Sequence, residues 1–300
     1  MLHSIPELAA LPGPVHLAIG VFDGVHVGHQ AVIRSAMDRQ GTPVVVTFDP
    51  HPARVVRPGP HPLMLSSMRH RLEIFRCYGV AQALVIPFDE AFARLPAGEF
   101  AARLQAACRP LGSISVGSDW TFGHRAQGDV ALLRALGITV HAIEPVLVDG
   151  VAARSTRVRD AVAAGDFAQA ARLLGRPHTV LGRVVEGRQL GRQLGFPTAN
   201  LGLENEQLPP DGVYAVRARL GETWLGGVAN LGLRPSVETG AAARRLEVHL
   251  FDFSEAIYGC DLEIEFAALL RPEEKFSSLE ALKEQIARDA AAAREVLCAG

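Results

Sequence analysis

The chain has 300 residues, 48% of them hydrophobic and 21% charged, and a formal net charge of −2. Its length is roughly twice the ~150-residue prior for one domain, so two cores are expected, and the composition excludes an extensively disordered chain. Near-neutral charge with scattered basic residues excludes a general nucleic-acid surface, and no apolar run approaches the ~20 residues of a membrane helix, so a cytoplasmic protein with neither nucleic acid nor membrane as partner is expected.

The opening MLHSIPELAALPGP lacks the basic-then-apolar layout of a secretory signal. Four cysteines, Cys77, Cys108, Cys260 and Cys298, lie far apart without a CxxC pair, and are expected as reduced, mostly buried thiols. The sequence fixes no oligomeric state.

From Val15 to about Ile143, short apolar runs alternate with segments of helical period. VHLAIGV precedes HQAVIRSAM, VVVTF precedes SSMRHRLEIFRCYG, ALVIPF precedes GEFAARLQAAC, SISVG precedes DVALLRALG, and ITVHAI closes the series. Five strands separated by helices predict an α/β unit with a doubly wound parallel sheet covered on both faces. Ligands of such sheets sit beyond the carboxyl ends of the strands, where strand order reverses. The first β-to-α turn is GVFDGVHVGHQ, residues 20–30.

Two short helices are expected next, over 155–164 and, with Asp166 as N-cap, over 167–174. From His178 the helical spacing gives way to strand-like pieces, TVLGRVVEG, GVYAVRARL, TWLGGVANL, RLEVHLFDF and DLEIEFAAL. Their alternation and punctuation predict a small antiparallel barrel or sandwich, with the domain boundary near residues 175–177 and Trp224 in the barrel core. The chain ends in a helix, with Ser277 and Glu280 as a capping box and Leu279, Leu282, Ile286, Ala290, Ala293 and Leu297 as an apolar stripe packed on the barrel.

The first chemical candidate is the pair His26 and His29. A strand handing over to a helix near Gly28 places backbone N–H groups at a helix start, which attracts phosphate, and glycine lets that backbone approach closely. Imidazoles there can donate hydrogen bonds to phosphate oxygens. Capping or metal binding remains the alternative for an isolated HxGH. A second piece, RSTRVR at 154–159, offers hydroxyls and three arginines suited to phosphate oxygens, or else a solvated helix start. Together the two resemble the early and late signatures of the adenylyltransferase superfamily.

The second candidate is GRQLGRQLGFPTANL, residues 187–201, in which Gly187, Gly191 and Gly195 precede a Pro-Thr-Ala-Asn turn. Glycine-rich backbone can wrap phosphate, while the Thr198 hydroxyl and Asn200 carboxamide are hard oxygen ligands that Mg²⁺ accepts beside ATP phosphates. In RLEVHLFDF, Leu246, Val248 and Leu250 share one strand face and Glu247 and His249 the other. Glu247 is either a solvated strand residue or, facing a nucleotide pocket, a base for a substrate hydroxyl.

FDGVHVGHQ, TFDPHP, VGSDWTFGHRAQGD, RSTRVR, GRQLGRQLGFPTANL, GVYAV, GVANLGLRPSV, LEVHLFDF, IYG and LRPEEKF occur in this order over nearly the whole chain. In this the sequence resembles the bacterial bifunctional riboflavin kinase and FAD synthetase family. The resemblance implies an FMN adenylyltransferase (FAD synthetase) domain over 1–176 and a riboflavin kinase β-barrel over 177–300. Both would use Mg²⁺ with ATP, taking riboflavin to FMN and FMN to FAD. By matching motif it implies that His26 and His29 contact ATP phosphates, that Gly24 and Gly28 allow close approach, and that Ser155, Thr156 and Arg159 bind phosphate. Pro50, His51, Pro52 and Asp119 would shape the flavin and nucleotide pocket. Thr198 and Asn200 would hold Mg-ATP, Glu247 would be the kinase base and Arg271 would lie on the flavin side.

Three departures from the family pattern stand out: Arg154 where a serine is common, Trp120 where phenylalanine is usual, and Ser236 in place of threonine. A flavin-binding regulator without turnover is the competing expectation, prompted by Arg154.

Overall fold

The computed structural model describes residues 1–186, 195–204, 206–235 and 242–299. The chain divides into two compact units, Met1–Leu63 with Met68–Ser155, and Met64–Ser67 with Thr156–Gly300.

The first unit is built on a parallel sheet of β1 (Val15–Ile19), β2 (Thr42–Asp49), β3 (Ala83–Pro87), β4 (Leu111–Gly117) and β5 (Val140–Ile143), in the order β3-β2-β1-β4-β5. All five residues of β1 are buried, and apart from His16 it reads as an apolar run rather than an alternating one. Its side chains still separate by parity. Leu17 and Ile19 enter one core with Phe100 and Leu104 of α5 (Ala97–Ala107), while Ala18 enters another with Val32 and Ile33 of α1 (Val27–Met37). Helices α2 (Pro52–Val56), α3 (Met68–Cys77), α4 (Glu90–Ala93) and α6 (Val130–Ala135) complete the connections. Strand order reverses between β1 and β4, so their carboxyl ends flank the crevice where such sheets take ligands.

The five expected strands are all present. One hairpin was not anticipated, β6 (Leu147–Val148) with β7 (Val151–Ala152). Its turn residues Asp149 and Gly150 have φ of 55° and 75°, and an Asp-Gly pair suits two such left-handed positions.

In the second unit α7 (Ser155–Ala163) crosses from the first, and α8 (Phe167–Leu174) follows with Asp166 as its cap, Oδ1 accepting from Gln169 N at 2.9 Å. A closed barrel comes next, with β8 (Thr179–Val185), β9 (Ala199–Leu203), β10 (Gly212–Leu220), β11 (Thr223–Pro235), β12 (Ala242–Leu250) and β13 (Asp261–Arg271) in the order β10-β11-β12-β9-β8-β13. Leu231, Leu246, Val248, Ile264 and Tyr214 fill its interior. The C-terminal helix α9 (Leu279–Ala299) covers part of the outer face, where Ala290, Ala293 and Leu297 pack on Val213, Val228 and Phe251.

Several expectations need correction. The Pro-Thr-Ala-Asn stretch is not wholly a turn: Ala199 and Asn200 begin β9, the strand that closes the barrel between β8 and β12. The cap of α9 is Ser278, whose Oγ accepts from Ala281 N at 3.1 Å, and Leu279 at the head of the stripe is 55% exposed. Trp224 is 47% exposed and not in the core, because it pairs with Arg219 on the outer face while Leu225 pairs with Ala218. Of the cysteines only Cys108 is buried.

Candidate functional site

The loop after β1 is shaped by backbone that few residues adopt. Phe22, Gly24 and Val25 have φ of 54°, 76° and 45°, and for the β-branched Val25 that is a strained position. The chain thereby turns sharply into α1, with His26 as N-cap. Its Nδ1 accepts from His29 N at 3.3 Å. The two imidazoles stack with ring centroids 3.6 Å apart, and Phe22 meets His29 edge-on at 5.3 Å. A Cβ at Gly28 would lie 3.1 Å from the His26 ring, so glycine there permits the stacking.

Burial, and then the nearby Arg154, push the His26 imidazole down to about 4. Burial, then His26 and Arg71, hold His29 well below the ordinary histidine range. Both rings are therefore neutral at neutral pH, each with one N–H to give. His29 Nδ1 is buried and has no hydrogen-bond partner among the described residues. Neutral donors beside a helix start suit an anionic ligand without storing an extra cation in the fold.

Arg71 of α3 lies behind this loop, 2% exposed. Its Nη1 donates to Val21 O at 2.8 Å, and its Nη2 stands 3.9 Å from Asp23 Oδ1. Thr47 Oγ1 donates to the same Val21 carbonyl at 2.9 Å. The sequence reading passed over Arg71 inside an ordinary amphipathic helix. Its only signal was an arginine at a position that packs inward.

Ser155 Oγ donates to Asp23 O at 3.0 Å, tying the RSTRVR motif to the histidine loop. Arg154 does not disturb that bond. It is exposed and reaches Asp119 at 3.1 Å, so both lie beside the switch point after β4. Thr156 and Arg159 follow on α7, in the other unit. Pro50 and His51 follow β2 at the same end of the sheet. His51 Nδ1 caps α2 by accepting from Ala53 N at 3.0 Å, and Pro52 is its first residue. Trp120 stacks on Phe122 with centroids 4.6 Å apart.

In the barrel, strand register places Glu247 directly opposite Asn200 on one side and Asn230 on the other. Cross-strand partners share a face, and the flanking Leu246 and Val248 point into the core, so these three polar side chains form a row on the outer face. Thr198, just before β9, lines a cavity of about 350 Å³ with Pro197, Phe253, Ser254, Ile257 and Tyr258 among its other walls. That volume is at the lower end of small-molecule pockets. His249, next on the Glu247 face, donates from Nδ1 to Pro197 O at 2.8 Å and so fixes the segment that carries Thr198. This role was also missed, although the two-residue spacing from Glu247 was its signal.

Gly195 is described, with φ of 89°, whereas Gly187, Gly191 and Ser236 lie outside the described residues. Arg271 forms a two-pronged pair with Asp289 of α9, Nε to Oδ1 at 2.9 Å and Nη2 to Oδ2 at 2.7 Å. Its guanidinium thus anchors the C-terminal helix to β13. No group of three or more His, Cys, Asp or Glu placed to hold a metal occurs among the described residues. Nor is any helix there long and apolar enough to cross a membrane.

Comparison with known proteins gives two family matches, one described as FAD synthetase over residues 9–157 and one as riboflavin kinase over 174–297. Among curated relatives, the bifunctional riboflavin kinase/FMN adenylyltransferase of Pseudomonas fluorescens is 42% identical over 92% of this chain and 91% of its own. The protein of the same name from Escherichia coli (strain K12) is 39% identical over 93% and 91%. A crystal structure described as a macrolide-efflux protein from Streptococcus pneumoniae superposes with a TM-score of 0.80 at 30% identity, covering 96% of both chains.

Proposed function

The chain belongs to the family of bifunctional riboflavin kinase/FMN adenylyltransferases, and we propose how its residues divide the two reactions. It phosphorylates riboflavin to FMN with ATP and then adenylylates FMN to FAD, releasing pyrophosphate. Residues 1–176 serve adenylylation and residues 177–300 serve phosphorylation. A cytoplasmic setting accords with the dependence of both steps on ATP.

The two steps ask for different chemistry. An FMN phosphate, with a second pKa of about 6, is already anionic at neutral pH and needs no base. Its oxygen attacks the α-phosphorus of ATP, the new P–O bond forms, and the bond from that phosphorus to the bridging oxygen of pyrophosphate breaks. What the protein supplies is hydrogen-bond donation to the charge that builds on the α-phosphate. His26 and His29 give neutral N–H donors, Ser155, Thr156 and Arg159 hold phosphate oxygens, and Gly24 and Gly28 let the backbone come close. Pro50, His51, Pro52 and Asp119 border the flavin and nucleotide space beyond the sheet. The observation that carries this assignment is the stacked imidazole pair, His26 buried and His29 half-buried, at the start of α1 beside the switch point.

A ribityl hydroxyl is a weak nucleophile and benefits from a base. Glu247 takes its proton as the oxygen attacks the γ-phosphorus, and the bond to the β,γ-bridging oxygen breaks to release ADP. Thr198 and Asn200 present a hydroxyl and a carboxamide, hard neutral donors that would hold Mg²⁺ arriving with ATP. So held, it would draw charge from the phosphate oxygens. Gly195, at φ of 89°, lets the backbone come close to the phosphates. Arg271 acts on the flavin side through its hold on α9.

Incubating the purified protein with riboflavin, ATP and Mg²⁺ and resolving the three flavins over time tests both halves together. FMN should rise first and FAD follow. A chain that accumulates neither product would overturn the assignment in favour of a flavin-binding regulator.

A further inference from the structure

The outer-face row of the barrel contains one polar group that the two reactions have not used. Asn230 stands directly across from Glu247 on the side opposite Asn200. Its Oδ1 is buried and accepts no hydrogen bond among the described residues. Most buried side-chain polar atoms do find a partner, and leaving one unmet disfavours the folded state. Beyond Asn230 the row continues to Val213, which is 6% exposed and offers no donor from its side chain.

We propose that Asn230 is a substrate-binding residue of the kinase site, its Oδ1 accepting from the ribityl hydroxyl vicinal to the one that is phosphorylated. The argument is one of order along the row. Direct cross-strand neighbours have Cβ atoms about 5 Å apart, so Asn200, Glu247 and Asn230 present three oxygens in sequence. With the phosphoryl donor held on the Asn200 side and the base in the middle, the acceptor substrate falls on the Asn230 side. A vicinal diol carries two O–H donors at a spacing that neighbouring side chains can meet. One gives its proton to Glu247 and the other gives a hydrogen bond to Asn230, which fixes rotation of the ribityl chain about the reacting carbon. A hydroxyl that donates to Glu247 has no second proton to offer, so the contact must come from its neighbour.

This inference rests on Glu247 acting as the kinase base. The test compares riboflavin with 4′-deoxyriboflavin, which lacks the vicinal hydroxyl, in the full-length chain and its Asn230→Ala, Asn230→Ser and Glu247→Gln variants. The wild-type chain should prefer riboflavin by roughly tenfold in kcat/KM, the size of one neutral hydrogen bond. Asn230→Ala should lose that factor on riboflavin and stay within about twofold on the deoxy compound, with Asn230→Ser recovering part of the preference. Phosphorylation of the deoxy compound by the same preparations reports that the barrel has folded. Equal losses on both flavins in Asn230→Ala, or an undiminished preference for riboflavin, would overturn the proposal. Full kinase activity in Glu247→Gln would instead remove the base on which it rests, an outcome visible independently of the Asn230 comparison.

Discussion

The rings of His26 and His29 lie face to face, 3.6 Å between centroids and 21° between planes, and burial keeps both neutral. Two imidazolium ions could not share that geometry. The role proposed for the pair is therefore hydrogen-bond donation and not charge, which would leave charge neutralisation to the arginines.

His29→Ala should lower FAD formation from FMN by on the order of 10²–10³, by analogy with removal of one oxyanion donor, and leave FMN formation near wild type. Glu247→Gln should do the reverse. Separate initial-rate assays with riboflavin and with FMN check the division, and equal loss of both reactions in either variant would refute it.

Acid should loosen the first unit before it protonates most carboxylates. His26 titrates at about 4 in the folded chain against 6.5 for the free side chain. The unfolded chain therefore binds the extra proton, and stability is undiminished above about pH 6.5 and lost as pH falls toward 4. The shift corresponds to on the order of 3 kcal/mol, and His29 moves in the same direction. Denaturation midpoints measured across this window should fall less steeply in His26→Asn than in the wild type.

Arg71→Met should destabilise the first unit by about 3 kcal/mol or more, because it withdraws a buried cation from Asp23 and a donor from the Val21 carbonyl. Arg71→Lys keeps the charge but not the planar fork, and should fall between. Urea denaturation gives the ordering, and the adenylylation rate should decline in the same order because the histidine loop loses its backing.

His249→Ala removes the donor that holds Pro197, next to Thr198. The KM for ATP in riboflavin phosphorylation should rise severalfold, while adenylylation of FMN is unchanged. A changed KM for ATP in both reactions would show that the effect is not confined to the Pro197–Thr198 segment.

The α/β half was legible because its signals are local. Fully buried parallel strands leave continuous apolar runs, and the helices between them keep their own period. The HxGH turn was placed correctly for the same reason. What escaped depends on partners distant in sequence. Strand β9 is short, follows a proline and is defined by pairing with β8 and β12, so Pro-Thr-Ala-Asn looked like a turn. Trp224, followed by Leu225 and two glycines, was assigned to the core, whereas pairing with Arg219 turned it outward. Arg71 was overlooked because arginine is rarely buried unless paired, and its partners Val21, Asp23 and Thr47 come from two other segments. In the barrel the alternation around Glu247 was readable, but not which side chains it would face.

The alternation of β12 also has an evolutionary consequence. Leu246 and Val248 face inward because Glu247 faces outward, so deleting or inserting a single residue would bury the carboxylate and expose the leucine together. A one-residue shift in this strand would therefore disturb the barrel core and the orientation of Glu247 together.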